Sequence, residues 1–132
     1  MIVGISIAPF DSIRLLSISR FRFHLTGSRY FGYAKPDSDW DFFTQDKEGL
    51  TDYLKSKNFV RKSMKPEWMG SNTLSIWEHT KAEVEIEVER DWDLKQRAQE
   101  YIKANPAFLE SLKNLPKLER GEVWENVYAI LK

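Results

Sequence analysis

The sequence predicts an α+β domain: a small mixed β-sheet of about five strands with helices packed on one side, and a helical C-terminal third. Three observations predict it. Between residues 21 and 89, short segments alternate apolar and polar side chains with period two; from Asp91 onward apolar residues recur at helical spacing; and Thr80-Lys81 joins two alternating segments tightly, which favours an antiparallel pair.

The elements follow in order. Pro9 and Asp11 punctuate the start, and Asp11–Ser19 places Ile13 and Leu16, with Leu15 beside them, on one face of a short helix. Phe21, Phe23 and Leu25 alternate with Arg22, His24 and Thr26, so residues 21–26 form the first strand and Gly27-Ser28 ends it. Ser28 is an N-cap residue type for a stub helix over Arg29–Tyr33, which Gly32 and Lys35-Pro36-Asp37 keep short. Residues 38–44 form the second strand, with Asp39, Asp41 and Phe43 on one side and Trp40, Phe42 and Thr44 on the other. Glu48–Lys57 carries Leu50, Tyr53 and Leu54 at helical spacing and covers one face of the sheet, and Asn58 stops it. Phe59–Ser63 is a third strand, followed by a loop bearing Pro66 and Gly70. Thr73–His79 and Ala82–Glu89 are the antiparallel pair. Asp93 then caps Leu94–Ala104, Pro106 opens a turn of helix to Leu112, and Pro116 or Lys117 begins a last helix to Ile130.

A chain of 132 residues and 15.6 kDa is one domain, 1–132, in which residues 11–90 hold the sheet and 91–132 the C-terminal helices. It is long enough to bury a core without staples, and it has no cysteine. That excludes disulfide scaffolds, thiolate metal centres and thiol nucleophiles, and it suits a reducing compartment. Twenty Lys and Arg balance twenty Asp and Glu, so bulk charge favours neither nucleic acid nor an anionic membrane. No apolar run reaches the eighteen or so residues of a membrane helix. The apolar N-terminus has no basic residue ahead of it and a poor cleavage site at Ala8-Pro9, so it reads as structure, and the expected location is cytoplasmic.

Three features carry chemistry if they converge. Asp39 and Asp41, two apart on a strand, share a face with Cα atoms about 6.7 Å apart, a spacing that lets both carboxylates reach divalent ions about 3.5–4 Å from each other. A solvated turn or a helix cap is the plainer explanation of an isolated Asp-x-Asp, but strands are poor in Asp and these two sit among Trp40, Phe42 and Phe43. Gly27-Ser28 can be a tight turn and nothing more. It can also let phosphate oxygens approach backbone N–H groups, with the Ser28 hydroxyl and the Arg29 guanidinium completing the cradle. In Ala82–Glu89 the residues Glu83, Glu85, Glu87 and Glu89 face one way while Val84, Ile86 and Val88 face the core. Solvent exposure explains most of these four acids; a cation would favour one or two, and Lys81, Arg90 and Lys95 could offset the rest.

The string His24-Leu-Thr-Gly-Ser-Arg29, the ten residues between Ser28 and Asp39, the strand Ser38-Asp-Trp-Asp-Phe-Phe43 and the later strand Val84-Glu-Ile-Glu-Val88 resemble the DNA polymerase β-type nucleotidyltransferase superfamily, in its minimal members. The match runs in order over residues 21–89. The resemblance implies a nucleotidyltransferase fold and transfer of a nucleoside monophosphate from a nucleoside triphosphate such as ATP to a hydroxyl on a nucleic-acid or protein acceptor. It implies that Gly27, Ser28 and Arg29 hold the triphosphate. Asp39 and Asp41 bind two Mg²⁺ ions, for which Mn²⁺ can stand in, and Glu85 is the third carboxylate, with Glu87 the second choice and Glu83 the third. A binding or inhibitory module on the same fold is the alternative, and a two-metal nuclease ranks below both because it makes no use of a triphosphate cradle.

The remaining candidates are weaker. His24 and His79 are single strand histidines, more often packing residues than ligands. Trp68 and Trp77 suit core packing better than base stacking, and Lys62, Lys65, Lys81 and Lys95 read as surface lysines.

Overall fold

The computed structural model describes residues 21–62, 71–116 and 119–132. The helix expected over Asp11–Ser19, the loop with Pro66 and Gly70, and residues Ser63, Lys65, Trp68 and Lys117 lie outside them. The elements are β1 (His24–Thr26), α1 (Gly27–Phe31), β2 (Trp40–Gln45), α2 (Leu50–Ser56), β3 (Phe59–Arg61), β4 (Thr73–His79), β5 (Val84–Glu89), α3 (Trp92–Ala104), α4 (Pro106–Asn114) and α5 (Arg120–Leu131).

The five strands form one mixed sheet, as the alternation predicts, in the order β1-β2-β5-β4-β3. All neighbours are antiparallel except β2 and β5, which run parallel with Asp41 beside Glu85 and Phe43 beside Glu87. One face carries Phe42, Val84, Ile86, Val88 and Trp77, packed under Leu50 and Leu54 of α2. Each such buried side chain contributes about 1.5–3 kcal/mol. Gly49 and Asn58, with φ of 87° and 69°, bracket α2, so Asn58 is the stop its residue type predicts.

The C-terminal third covers the opposite face. Trp92 packs on the rings of His24 and Phe43, and Gln99 donates from Nε2 to the Leu25 carbonyl at 3.0 Å. Leu94, Ala98, Ile102, Leu112, Val123, Val127 and Tyr128 build a second core there with Phe31 of α1. This cover changes the reading of the acidic strand. Glu83 is exposed and Glu85 half-buried, but Glu87 and Glu89 are buried, so the expectation of a mostly solvated face is corrected.

Two local expectations are also corrected. Ser28 does not cap a helix over Arg29–Tyr33: α1 begins at Gly27, whose φ of 70° turns the chain directly off β1, which places Ser28 inside the first turn. Asp91, and not Asp93, caps α3, accepting from the Leu94 N–H at 3.0 Å, while Asp93 pairs with Arg97 one turn on. The last helix is described over Arg120–Leu131, and the start expected at Lys117 lies outside the described residues. Among the described residues no helix is long and apolar enough to cross a membrane.

Candidate functional site

The β2 and β5 strands bring the predicted acids together. Because the two are parallel and in register, Asp41 and Glu85 are lateral neighbours about 4.8 Å apart on the same face. Thr26, the last residue of β1, pairs with Asp41 on the other side. Gly27 follows in the left-handed region, and a Cβ there would overlap the Asp41 carboxylate. Only glycine suits the position, both for its backbone and for the close approach of that carboxylate. Gly27, Ser28, Asp39, Asp41, Glu85 and Glu87 all line one cleft of about 200 Å³. Asp39 stands one residue ahead of β2 and is exposed, on the solvent side of that cleft.

Arg29 is placed elsewhere. Its guanidinium donates to the carbonyls of Ser38 at 2.6 Å and Pro36 at 3.3 Å and lies 4.2 Å from the Trp40 ring centre. It braces the segment that leads to Asp39 and does not line the cleft.

Two lysines meet the acids. Lys62 Nζ is 3.0 Å from Glu85 Oε2 and 3.8 Å from Glu78 Oε2. Lys95, on the buried stripe of α3, is 3.3 Å from Glu87 Oε1 and sits 3.7 Å over the Trp124 ring. Burial pushes the Glu85 carboxyl above its ordinary value, Lys62 pulls it back, and the charges of Glu87 and Asp39 push it up again. Burial works against the Lys95 ammonium, yet the carboxylates of Glu87 and Glu89 outweigh it and hold its pKa above the ordinary lysine value. Glu89, fully buried, accepts from Thr73 Oγ1 at 2.8 Å and Asn72 Nδ2 at 3.3 Å.

Sequence reading missed the far wall of the cleft, made by Tyr33, Leu112, Arg120 and Trp124. Burial raises the Tyr33 hydroxyl pKa, with Arg120 opposing and Asp41 adding to the rise. No motif marks these residues. For Lys95 a signal existed: it shares the i, i+3, i+4, i+7 stripe with Leu94, Ala98, Gln99 and Ile102, so its burial was written in the helical phase.

The carboxylates bear on the divalent metal that the resemblance implies. Among the described residues no group of three or more His, Asp or Glu side chains is placed to enclose an ion. Magnesium does not require one, because it keeps several waters and takes one or two carboxylates together with substrate phosphates. Asp39 and Asp41 fit that role in their hard oxygen chemistry and shared cleft.

Comparison with protein-family models, with curated proteins and with solved structures finds no match to this chain.

Proposed function

We propose that the chain is a metal-dependent nucleotidyltransferase that moves a nucleoside monophosphate from a nucleoside triphosphate to a hydroxyl on a nucleic-acid or protein acceptor in the cytoplasm. The observation that carries this reading is the register of Asp41 beside Glu85 in a cleft rimmed by Gly27-Ser28. In the reaction, the acceptor oxygen bonds to the α-phosphorus. The bond from that phosphorus to the α–β bridging oxygen breaks, and pyrophosphate leaves. Ser28 and the backbone at Gly27 face the phosphates, and Glu85, made more basic by burial, takes the acceptor's proton. Asp39 and Asp41 would hold the divalent ions, whose charge would offset that developing on the phosphoryl oxygens.

A second reading, a binding module that keeps the cleft without catalysis, draws on the ion pairs that already hold Glu85 and Glu87. One experiment separates the two. The protein is incubated with each α-labelled nucleoside triphosphate, Mg²⁺ or Mn²⁺, and cell extract, and gels are examined for a labelled macromolecule. Label that appears with the native chain and vanishes with Asp39→Asn supports transfer. No label, together with no calorimetric binding of millimolar nucleotide and Mg²⁺, rejects it in favour of the module.

A further inference from the structure

Arg120 opens α5 and lines the same cleft as Gly27 and Ser28. Its Nε donates at 3.3 Å to the carbonyl of Leu115, the residue that closes α4. That bond fixes the stem and uses one guanidinium N–H, leaving the donors on the two terminal nitrogens. The Arg120 charge acts on the Tyr33 hydroxyl, and the Tyr33 backbone N–H donates to the Ser28 carbonyl at 3.1 Å. Arg120 therefore neighbours the residue that is tied to the turn after β1. Nearby cations are committed: Lys62 to Glu85 and Glu78, Lys95 to Glu87 and the Trp124 ring, and Arg29 to the Ser38 and Pro36 carbonyls outside the cleft. Arg120 forms no ion pair among the described residues. It does share the cleft with Asp39, Asp41 and Glu85, and the charge of Asp41 acts on the same Tyr33 hydroxyl.

We propose that Arg120 binds the phosphate tail of the nucleotide, in the role that the resemblance gives to Arg29, so that the tail is gripped between the turn after β1 and the start of α5. The inference rests on the nucleotidyl-transfer reading. A planar guanidinium offers paired N–H donors to phosphate oxygens, and one whose stem is already held loses less freedom on binding. Arg29 is spent on two carbonyls and on the Trp40 ring. Leu115 and Arg120 lie where α4 gives way to α5, so the ligand joins the C-terminal helices to the sheet. An arginine that only offset the carboxylates of the cleft would act on the metal and on every phosphate ligand alike. One that holds the tail distinguishes a triphosphate from a single phosphate.

The test is calorimetry of the full chain with inorganic triphosphate and with inorganic phosphate, each with Mg²⁺, which is independent of the preferred base. The native chain is expected to bind triphosphate more tightly than phosphate. Arg120→Gln should weaken triphosphate binding by at least about tenfold, the effect of losing charge-assisted hydrogen bonds, and weaken phosphate binding less, so that the ratio of the two affinities falls. Arg120→Lys recovers part of the loss. Arg97→Gln, which removes an arginine charge from an exposed site on α3, keeps the native values. Circular dichroism reports the fold. Should Arg120→Gln fail to fold, phenylglyoxal labelling of the native chain takes its place, and triphosphate with Mg²⁺ is expected to slow modification of Arg120 but not of Arg97, read by peptide mass spectrometry. An unchanged affinity ratio in folded Arg120→Gln, or no protection of Arg120, overturns the inference and leaves the transfer reading standing. Binding of neither inorganic triphosphate nor any nucleoside triphosphate by the native chain overturns the transfer reading, and the inference with it.

Discussion

The carboxylate of Asp41 fills the space that a side chain at Gly27 would need. The contact ties the turn after β1 to the acid on β2, so the rim of the cleft and one of its acids are a single mechanical unit.

Gly27→Ala tests that unit. The left-handed backbone alone costs a substituted residue about 1–2 kcal/mol, and the new methyl must also displace Asp41. A loss of unfolding free energy of at least that size, read from urea unfolding, and weakened nucleotide binding are expected. Unchanged stability and binding would contradict the contact.

Asp39→Asn separates chemistry from folding. The residue is exposed and lies outside the β2 ladder, so thermal stability should stay within about 0.5 kcal/mol of the native chain. Turnover should fall by about 10²–10³, the usual effect of removing one group that stabilises transition-state charge. Retained turnover in label-transfer assays would remove Asp39 from the site.

The buried pair of Lys95 and Glu87 should respond unequally to its two single substitutions. Lys95→Met leaves Glu87 and Glu89 buried together without a cation and is expected to cost about 3–5 kcal/mol. Glu87→Gln should cost less, because Lys95 keeps the charge of Glu89 and the Trp124 ring as partners. Equal losses in urea unfolding would show that the ammonium answers to Glu87 alone.

His79 gives stability a pH dependence of defined sign. Its Nδ1 accepts the N–H groups of Lys81 at 3.0 Å and Ala82 at 2.9 Å, which requires the neutral ring at that nitrogen. Burial lowers its pKa from 6.5, a backbone hydrogen bond with Lys57 pulls the other way, and the Lys81 charge lowers it further. Below 6.5 the unfolded chain therefore binds more protons than the folded one, and stability falls as pH drops toward the folded pKa. In His79→Asn an amide oxygen can accept the same N–H groups without titrating. Native stability relative to that variant should decline between about pH 7 and 5, in the window set by the histidine reference value. Parallel curves would contradict this role for the ring.

The residues that converge were legible because their positions follow from period two. Once β2 and β5 are strands, Asp41 and Glu85 must each point to one face, and Gly27-Ser28 must turn at the end of β1. What alternation cannot encode is what lies over that face. Glu87 and Glu89 read the same under water as under α3, so their burial emerged only from the packing of the C-terminal helices. Lys62 reads as a surface lysine in the sequence because its partner is set by the register of β3 on β4 and of β4 on β5, a relation no local pattern contains. Asp91 and Asp93 are both capping residue types two positions apart, and the sequence does not choose between them.

The parallel pairing of β2 with β5 has a consequence for synthesis. Asp41 and Glu85 touch neighbouring ladder positions, yet a helix and two strands separate them along the chain. Such long-range closure comes late and carries an entropic cost that local contacts do not repay. On the ribosome, a nascent chain displays the aspartates well before β5 has emerged to flank them. The acids thus lack a common address until the crossover is complete, and the cleft takes shape only when the topology is finished.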